Sequence, residues 1–209
     1  YFNYVDGNTG SPISQSSSQM DHFNWGVCGA NALTTSSSVC AKNVSQDISG
    51  KMFTDEACTA ETSDFAAALY GDIAYWATQG AWRLPTQAEL QKLYNEASYQ
   101  YGYYTTEDGK NVYGYLFTPP MKSGRVENTS ARQITDEELV GGLFLPATGY
   151  RIYPGSTISK SGEVGYYWTS QYRSAGDNDY AYYLELQPTQ IRWAGNASYY
   201  GRSVRPVKN

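Results

Sequence analysis

Residues 165–209 constrain this chain more than any other stretch. Two apolar anchors, Tyr166-Tyr167-Trp168 and Ser203-Val204-Arg205-Pro206-Val207, enclose two strand-like runs and a spray of Tyr, Asn, Asp, Ser and Arg. Tyr182, Leu184 and Leu186 alternate with Tyr183 and Glu185, the period of a half-buried strand. Tyr gives large contact area with few torsions to freeze, while Ser, Asn and Gly give adaptable hydrogen bonding. The segment holds no nucleophile–base pair and no metal cluster, so it points to binding before chemistry.

Composition narrows the class. At 209 residues the chain fits one domain, with a loop-rich part over 1–61 and the motif-bearing core over 62–209. Tyr outnumbers Phe by 21 to 6, and its polar tip lets an aromatic chain stay in water. A net charge of −5 argues against nucleic acid, which calls for clustered Lys and Arg. No apolar run approaches the ~20 residues of a membrane span. Beginning on Tyr1 rather than Met, the sequence is expected to be a mature or trimmed fragment. Cys28, Cys40 and Cys58 show no zinc spacing; a disulfide with one leftover thiol and three free thiols both remain open.

Periodicity places a first helix over 63–78, with Phe65, Leu69, Ile73 and Trp76 as its stripe and Gly80 as its stop. A second helix starts at Pro85-Thr86, where Thr86 and Glu89 have capping-box spacing. Its stripe is Leu90, Leu93, Tyr94 and Ala97, and it ends near Ser98. A short helical turn is expected over 134–139, with Asp136, Glu137 and Glu138 outward. Strands are expected at 111–118, 143–146, 149–152, 166–170, 180–186, 190–193 and 203–207, and a short one near Phe23-Asn24-Trp25. Two early helices followed by short antiparallel strands make an α+β pattern.

Four motifs carry a resemblance. They are Trp82-Arg83-Leu84-Pro85-Thr86-Gln87-Ala88-Glu89-Leu90, Phe144-Leu145-Pro146-Ala147-Thr148-Gly149-Tyr150-Arg151, Gly165-Tyr166-Tyr167-Trp168-Thr169-Ser170 and Gly201-Arg202-Ser203-Val204-Arg205-Pro206-Val207. In this order they resemble the major paralogous domain first described from Fibrobacter succinogenes and widespread in Bacteroidetes. Trp25-Gly26 resembles that family's N-terminal element. The resemblance implies a C-type-lectin-like fold of the formylglycine-generating-enzyme branch, with two helices packed on short twisted antiparallel sheets and long loops. It also implies an exported cell-surface protein, often a lipoprotein or a fimbria-associated adhesin. Related chains include the variable proteins of diversity-generating retroelements, in which exposed residues between the WTS-like and SVRPV strands vary. The matching positions here are Tyr172, Arg173, Ser174, Asp177, Asn178, Asp179 and Tyr180, then Arg192, Trp193, Asn196, Ser198, Tyr199 and Tyr200. Adenine mutagenesis cannot turn an Asn codon into Trp, so Trp193 reads as scaffold or counts against that variety.

Rival chemistries fare worse. Formylglycine-generating enzymes hold copper with cysteines near the C-terminal core, and no cysteine follows Cys58. Calcium-dependent lectins use an acid-bearing triplet and a WND motif; Gln187-Pro188-Thr189 lacks the acid, and Asp177-Asn178-Asp179 lacks the Trp. His22 is the only histidine and reads as a surface or satisfied side chain rather than a catalytic base. Glu137-Glu138, Asp177-Asp179 and Glu163 read as solvated carboxylates rather than a glycosidase pair. Trp82, Arg83 and Trp168 read as scaffold, and Arg202 and Arg205 as partners of buried carboxylates or carbonyls. The expectation is a non-enzymatic adhesion or ligand-binding module with no cofactor or metal. Its partner is a surface protein or glycan. A structural or tip subunit of a fimbria is the alternative, and a formylglycine-generating-type enzyme the weakest reading.

Overall fold

Helix starts here are written in side chains. In the computed structural model, which describes residues 22–33, 37–154, 157–175 and 178–209, Thr86 Oγ1 accepts from the Glu89 amide at 3.2 Å and Glu89 Oε2 accepts from the Thr86 amide at 2.8 Å. Arg83 then grips the same carboxylate in a fork, at 2.8 and 2.6 Å. The device recurs at a second helix. Thr135 and Glu138 form the box, and Arg132 forks onto Glu138 at 2.9 and 2.5 Å. Both are Arg-x-x-Thr-x-x-Glu, a capping box braced from the residue three before its cap.

In chain order a 3-10 turn (Gly29–Leu33) precedes β1 (Met52–Phe53), β2 (Tyr70–Gly71), α1 (Ile73–Ala77), β3 (Trp82–Arg83), α2 (Gln87–Glu96), β4 (Ser98–Thr105) and β5 (Asn111–Thr118). There follow β6 (Glu127–Gln133), α3 (Asp136–Gly141), β7 (Leu143–Pro146), β8 (Tyr150–Arg151), β9 (Ile158–Ser159), β10 (Gly165–Ala175), β11 (Asn178–Gln187), β12 (Gln190–Ala197) and β13 (Val207–Lys208). The class is α+β. A four-stranded sheet runs β6-β4-β5-β7, a three-stranded sheet runs β10-β11-β12, and β1-β2, β3-β13 and β8-β9 are two-stranded pairs.

Three expectations need correction. The helix expected over 63–78 shrinks to α1. A Cβ at Gly71 would lie 2.4 Å from the Lys51 carbonyl oxygen, because Tyr70–Gly71 is a strand against β1, and Leu69 faces solvent. The sheets are not purely antiparallel, since β4 and β6 pair in parallel. The C-terminal run pairs as β13 only at Val207–Lys208, while Ser203 makes an isolated parallel bridge to Tyr167. The second helix ends at Glu96, and Ser98 already opens β4, a strand the sequence reading passed over. The strands expected at 111–118 and 143–146 form as β5 and β7.

The three-stranded sheet is the middle layer, and side-chain alternation divides its residues between two cores. Trp168, Ala181 and Tyr183 pack with Trp25, Val27, Ile48, Phe53 and Leu84. Tyr167, Leu184, Leu186 and Ile191 pack on the opposite side with Leu90, Tyr99, Tyr115, Phe117 and Leu145. Residues 22–33 are stitched to the distant C-terminal half. Phe23 exchanges backbone bonds with Arg202 at 2.8 and 3.1 Å, and Trp25 N donates to Ser198 O at 2.8 Å. The indoles of Trp25 and Trp168 donate to the carbonyls of Thr169 and Phe23, both at 2.7 Å. His22 is wholly buried, its Nε2 3.0 Å from Thr148 O. Cys28, Cys40 and Cys58 are free and buried. No described helix is long and apolar enough to cross a membrane.

Asp72 knots three segments together. Its fully buried carboxylate caps α1 through Ala74 N and Tyr75 N at 2.9 and 3.0 Å, and takes Gly50 N and Leu84 N at 2.8 and 2.7 Å. Burial pushes this carboxyl up to about 6, against the pull of the four N–H donors. Asp72→Asn should cost at least ~2 kcal/mol in urea unfolding, because an amide NH₂ would face donors it cannot accept from.

Glu89 gives a pH-dependent counterpart. The Arg83 fork, with the Thr86 donors, holds its carboxyl down at about 2. A folded-state value below the unfolded one of ~4.3 gives stability that is full above that pH and lost as pH falls toward 2. The carboxylate is 39% exposed, so solvent screening limits the contribution to about 1 kcal/mol. Glu89→Gln should flatten the acid limb of the stability–pH curve between those values, measured by thermal melts.

Candidate functional site: a tyrosine row over a buried arginine

Arg202 is the most unusual side chain in the molecule. It is 2% exposed, and its Nε and Nη1 have no hydrogen-bond partner. Rings take the place of a carboxylate. The guanidinium carbon lies 4.1 Å from the Tyr183 centroid and 4.4 Å from Trp168, with Tyr166 and Tyr200 at 5.6 Å and Tyr150 at 5.8 Å. The expectation of a carboxylate or carbonyl partner for this arginine is therefore corrected. The negative faces of aromatic rings attract a cation, and more strongly when water is excluded. Burial still works against the charge and draws the group's pKa down.

Three of these rings reach the surface and continue into a row. Tyr166 meets Tyr150 edge-on at 5.1 Å, and Tyr150 meets Tyr200 at 6.0 Å. Tyr200 stacks on Tyr199 at 5.3 Å, and Tyr199 leans on Tyr153 at 4.7 Å. All five are half-buried. The register then adds an ion pair. Glu185 sits opposite both Tyr166 and Arg192, and its buried carboxylate receives the exposed Arg192 fork at 2.9 and 3.0 Å. Burial, then the Glu185 charge, pushes the Tyr166 hydroxyl up to about 12. The result is a rigid face of ring surfaces and hydroxyls, with a guanidinium at one end.

The sequence-predicted residues divide. Tyr199, Tyr200 and Arg192 belong to this face. Ser198 is wholly buried and donates to Ala41 O at 3.3 Å, so it is structural. Tyr172 packs against the first core, and its hydroxyl donates to Asp179 at 2.9 Å. Asp179 also accepts from Asn43 N at 2.8 Å. Trp193 is partly buried and packs on the second core. Arg173 is exposed on that side of the sheet, over the Tyr182 ring. Asn196 accepts from the next backbone amide at 2.8 Å, and Tyr180 is half-buried. Asp177 lies outside the described residues, as do the side chains of Ser174 and Asn178. The two expected patches thus do not merge, because strand alternation points Arg173 and Trp193 away from Arg192.

Tyr150, Tyr153 and Tyr166 were missed as site residues. Tyr150 and Tyr166 stood inside apparent fold motifs, and Tyr153 in a loop far along the chain. Among the described residues no group of three or more His, Cys, Asp or Glu could hold a metal ion.

Arg202→Ala should cost at least ~3 kcal/mol in urea unfolding, since it opens a cavity under the rings and removes their cation. Arg202→Lys should recover only part, as an ammonium cannot lie flat between ring faces. The chain matches no protein-family model, no curated protein and no solved structure.

Proposed function

We propose that this chain is a non-enzymatic ligand-binding or adhesion module of an exported cell-surface protein, with a C-type-lectin-like fold of the major paralogous domain type. One observation carries it: five half-buried tyrosines form a row, three of them over Arg202, beside an exposed Arg192. Large rings held in place lose little entropy on binding, and hydroxyls beside them can adapt to a partner; that of Tyr153 already meets Ser37 Oγ at 3.1 Å. The family resemblance of the four motifs supports the same assignment, and the partner class is a surface protein or a glycan. A fold hosts many functions, so the site rather than the architecture bears the weight.

The second reading, a subunit of a surface appendage, draws on β6. This strand forms the outer edge of its sheet and is almost wholly exposed, and open edges are where strands from other chains add.

A glycan-array and surface-protein screen of wild type beside Tyr199→Ala/Tyr200→Ala separates the readings. A hit lost in the double variant, with the melting temperature lowered by no more than a few degrees, is the expected result. A large fall in melting temperature would place these rings in the core. No hit, with self-assembly or pull-down of neighbouring subunits, would favour the appendage.

A further inference from the structure

A second concave surface lies on the chain, built from other residues. Residues 43–47, Gln171 and Tyr172 line an open groove of about 530 Å³. One wall is a loop; the other is the bulge where β10 shifts register between Trp168 and Tyr172. Bulges re-aim side chains. A single carboxylate holds both walls, since Asp179 Oδ1 accepts from Asn43 N at 2.8 Å and from the Tyr172 hydroxyl at 2.9 Å. The Tyr172 ring is braced further by Trp25, 5.9 Å between centroids. The groove is therefore formed before any ligand arrives.

Its lining has a definite chemistry. The side chains of Asn43, Ser45 and Gln171 make no hydrogen bond to another described group, although the backbone amides of Asn43 and Gln171 do. Gln46 is already occupied, donating to Cys58 O and accepting from Lys51. Asp47 Oδ1 accepts from Ser49 N at 2.8 Å. Val44 is buried in the first core, so Tyr172 is the one large apolar surface in the lining. Among the described residues no Lys or Arg lines the groove, which disfavours an anion. One carboxylate is too few for a hard cation, which takes six or more oxygens. Carboxamides donate and accept at once, as sugar hydroxyls do. A fixed phenol ring offers a negative face to the C–H side of a pyranose. Pockets of roughly 300–1,000 Å³ hold small ligands.

We propose that this groove binds a neutral saccharide unit, with Asn43, Ser45 and Gln171 bonding its hydroxyls and Tyr172 stacking on its ring. The site is separate from the tyrosine row and needs no calcium.

The test is an NMR titration of ¹⁵N-labelled protein with methyl α-glucoside, methyl β-galactoside, N-acetylglucosamine and cellobiose, in EDTA. The side-chain amide signals of Asn43 and Gln171 are followed. At least one sugar should shift them saturably. Gln171→Ala and Asn43→Gly should each weaken that sugar by about tenfold, the loss of one hydrogen-bonding partner. Asn43 has φ 55°, a conformation glycine adopts freely, so this variant keeps the loop shape if Gln171→Ala unfolds. Tyr199→Ala/Tyr200→Ala should leave the titration unchanged. Silence of both amides with all four sugars would overturn the proposal, as would full affinity in both groove variants. Neither result touches the tyrosine row, whose failure would appear as an unaltered partner in its own double variant.

Discussion

A guanidinium that takes its stabilisation from rings rather than from an acid sets the terms for much of this molecule. Stripping water from an unpaired ion costs several kcal/mol, and each ring face returns roughly 0.5–2 kcal/mol when desolvated. Keeping Arg202 inside therefore requires several rings at once, and the distances to Tyr183 and Trp168 show where the attraction is greatest. Those two residues belong to adjacent strands of the central sheet. Tyr166 joins them from the same strand as Trp168, and Tyr150 and Tyr200 complete the set from other stretches of chain. The outer tyrosines are thus positioned by a charge beneath them, and the surface inherits its rigidity from the core.

Asp72 solves the mirror problem. Here a buried anion is satisfied by backbone N–H groups alone, drawn from residues 50, 74, 75 and 84. It fixes a two-residue strand pair, a five-residue helix and the end of β3 relative to one another. None of these would be stable alone, since short helices and strand pairs are marginal in water. A polar group at the centre replaces the length that the elements lack.

Much of this was legible in the sequence, unevenly. The Thr86–Glu89 box was readable because both partners are local. The same spacing at Thr135–Glu138, with Arg132 three residues upstream, was equally present and passed unnoticed. Only the acidic face of that turn was registered. The first helix failed because periodicity ignores backbone approach: Gly71 must admit a neighbouring carbonyl, which no count of apolar residues reveals. β4 offered a signal in Tyr99, Tyr101 and Tyr103, whereas the polar β6 offered none. At the site, composition marked Tyr199 and Tyr200. It could not separate them from Ser198, which turns inward, or join them to Tyr153, about 45 residues earlier in the chain. That pairing exists only in three dimensions.

The stitching of residues 22–25 to residues 198–204 has a temporal consequence. The first core closes only when two stretches about 175 residues apart meet. Closing so long a loop is slow, since its entropy is lost before the contacts form. Until residue 204 has been synthesised, Trp25 and Trp168 lack their final surroundings and the Arg202 cage has no cation. The second core, whose buried residues lie between Leu90 and Ile191, needs neither stretch and can assemble before the first, together with the two braced helix starts. The first core therefore locks in a late step, when residues 22–25 come to lie against residues 198–204.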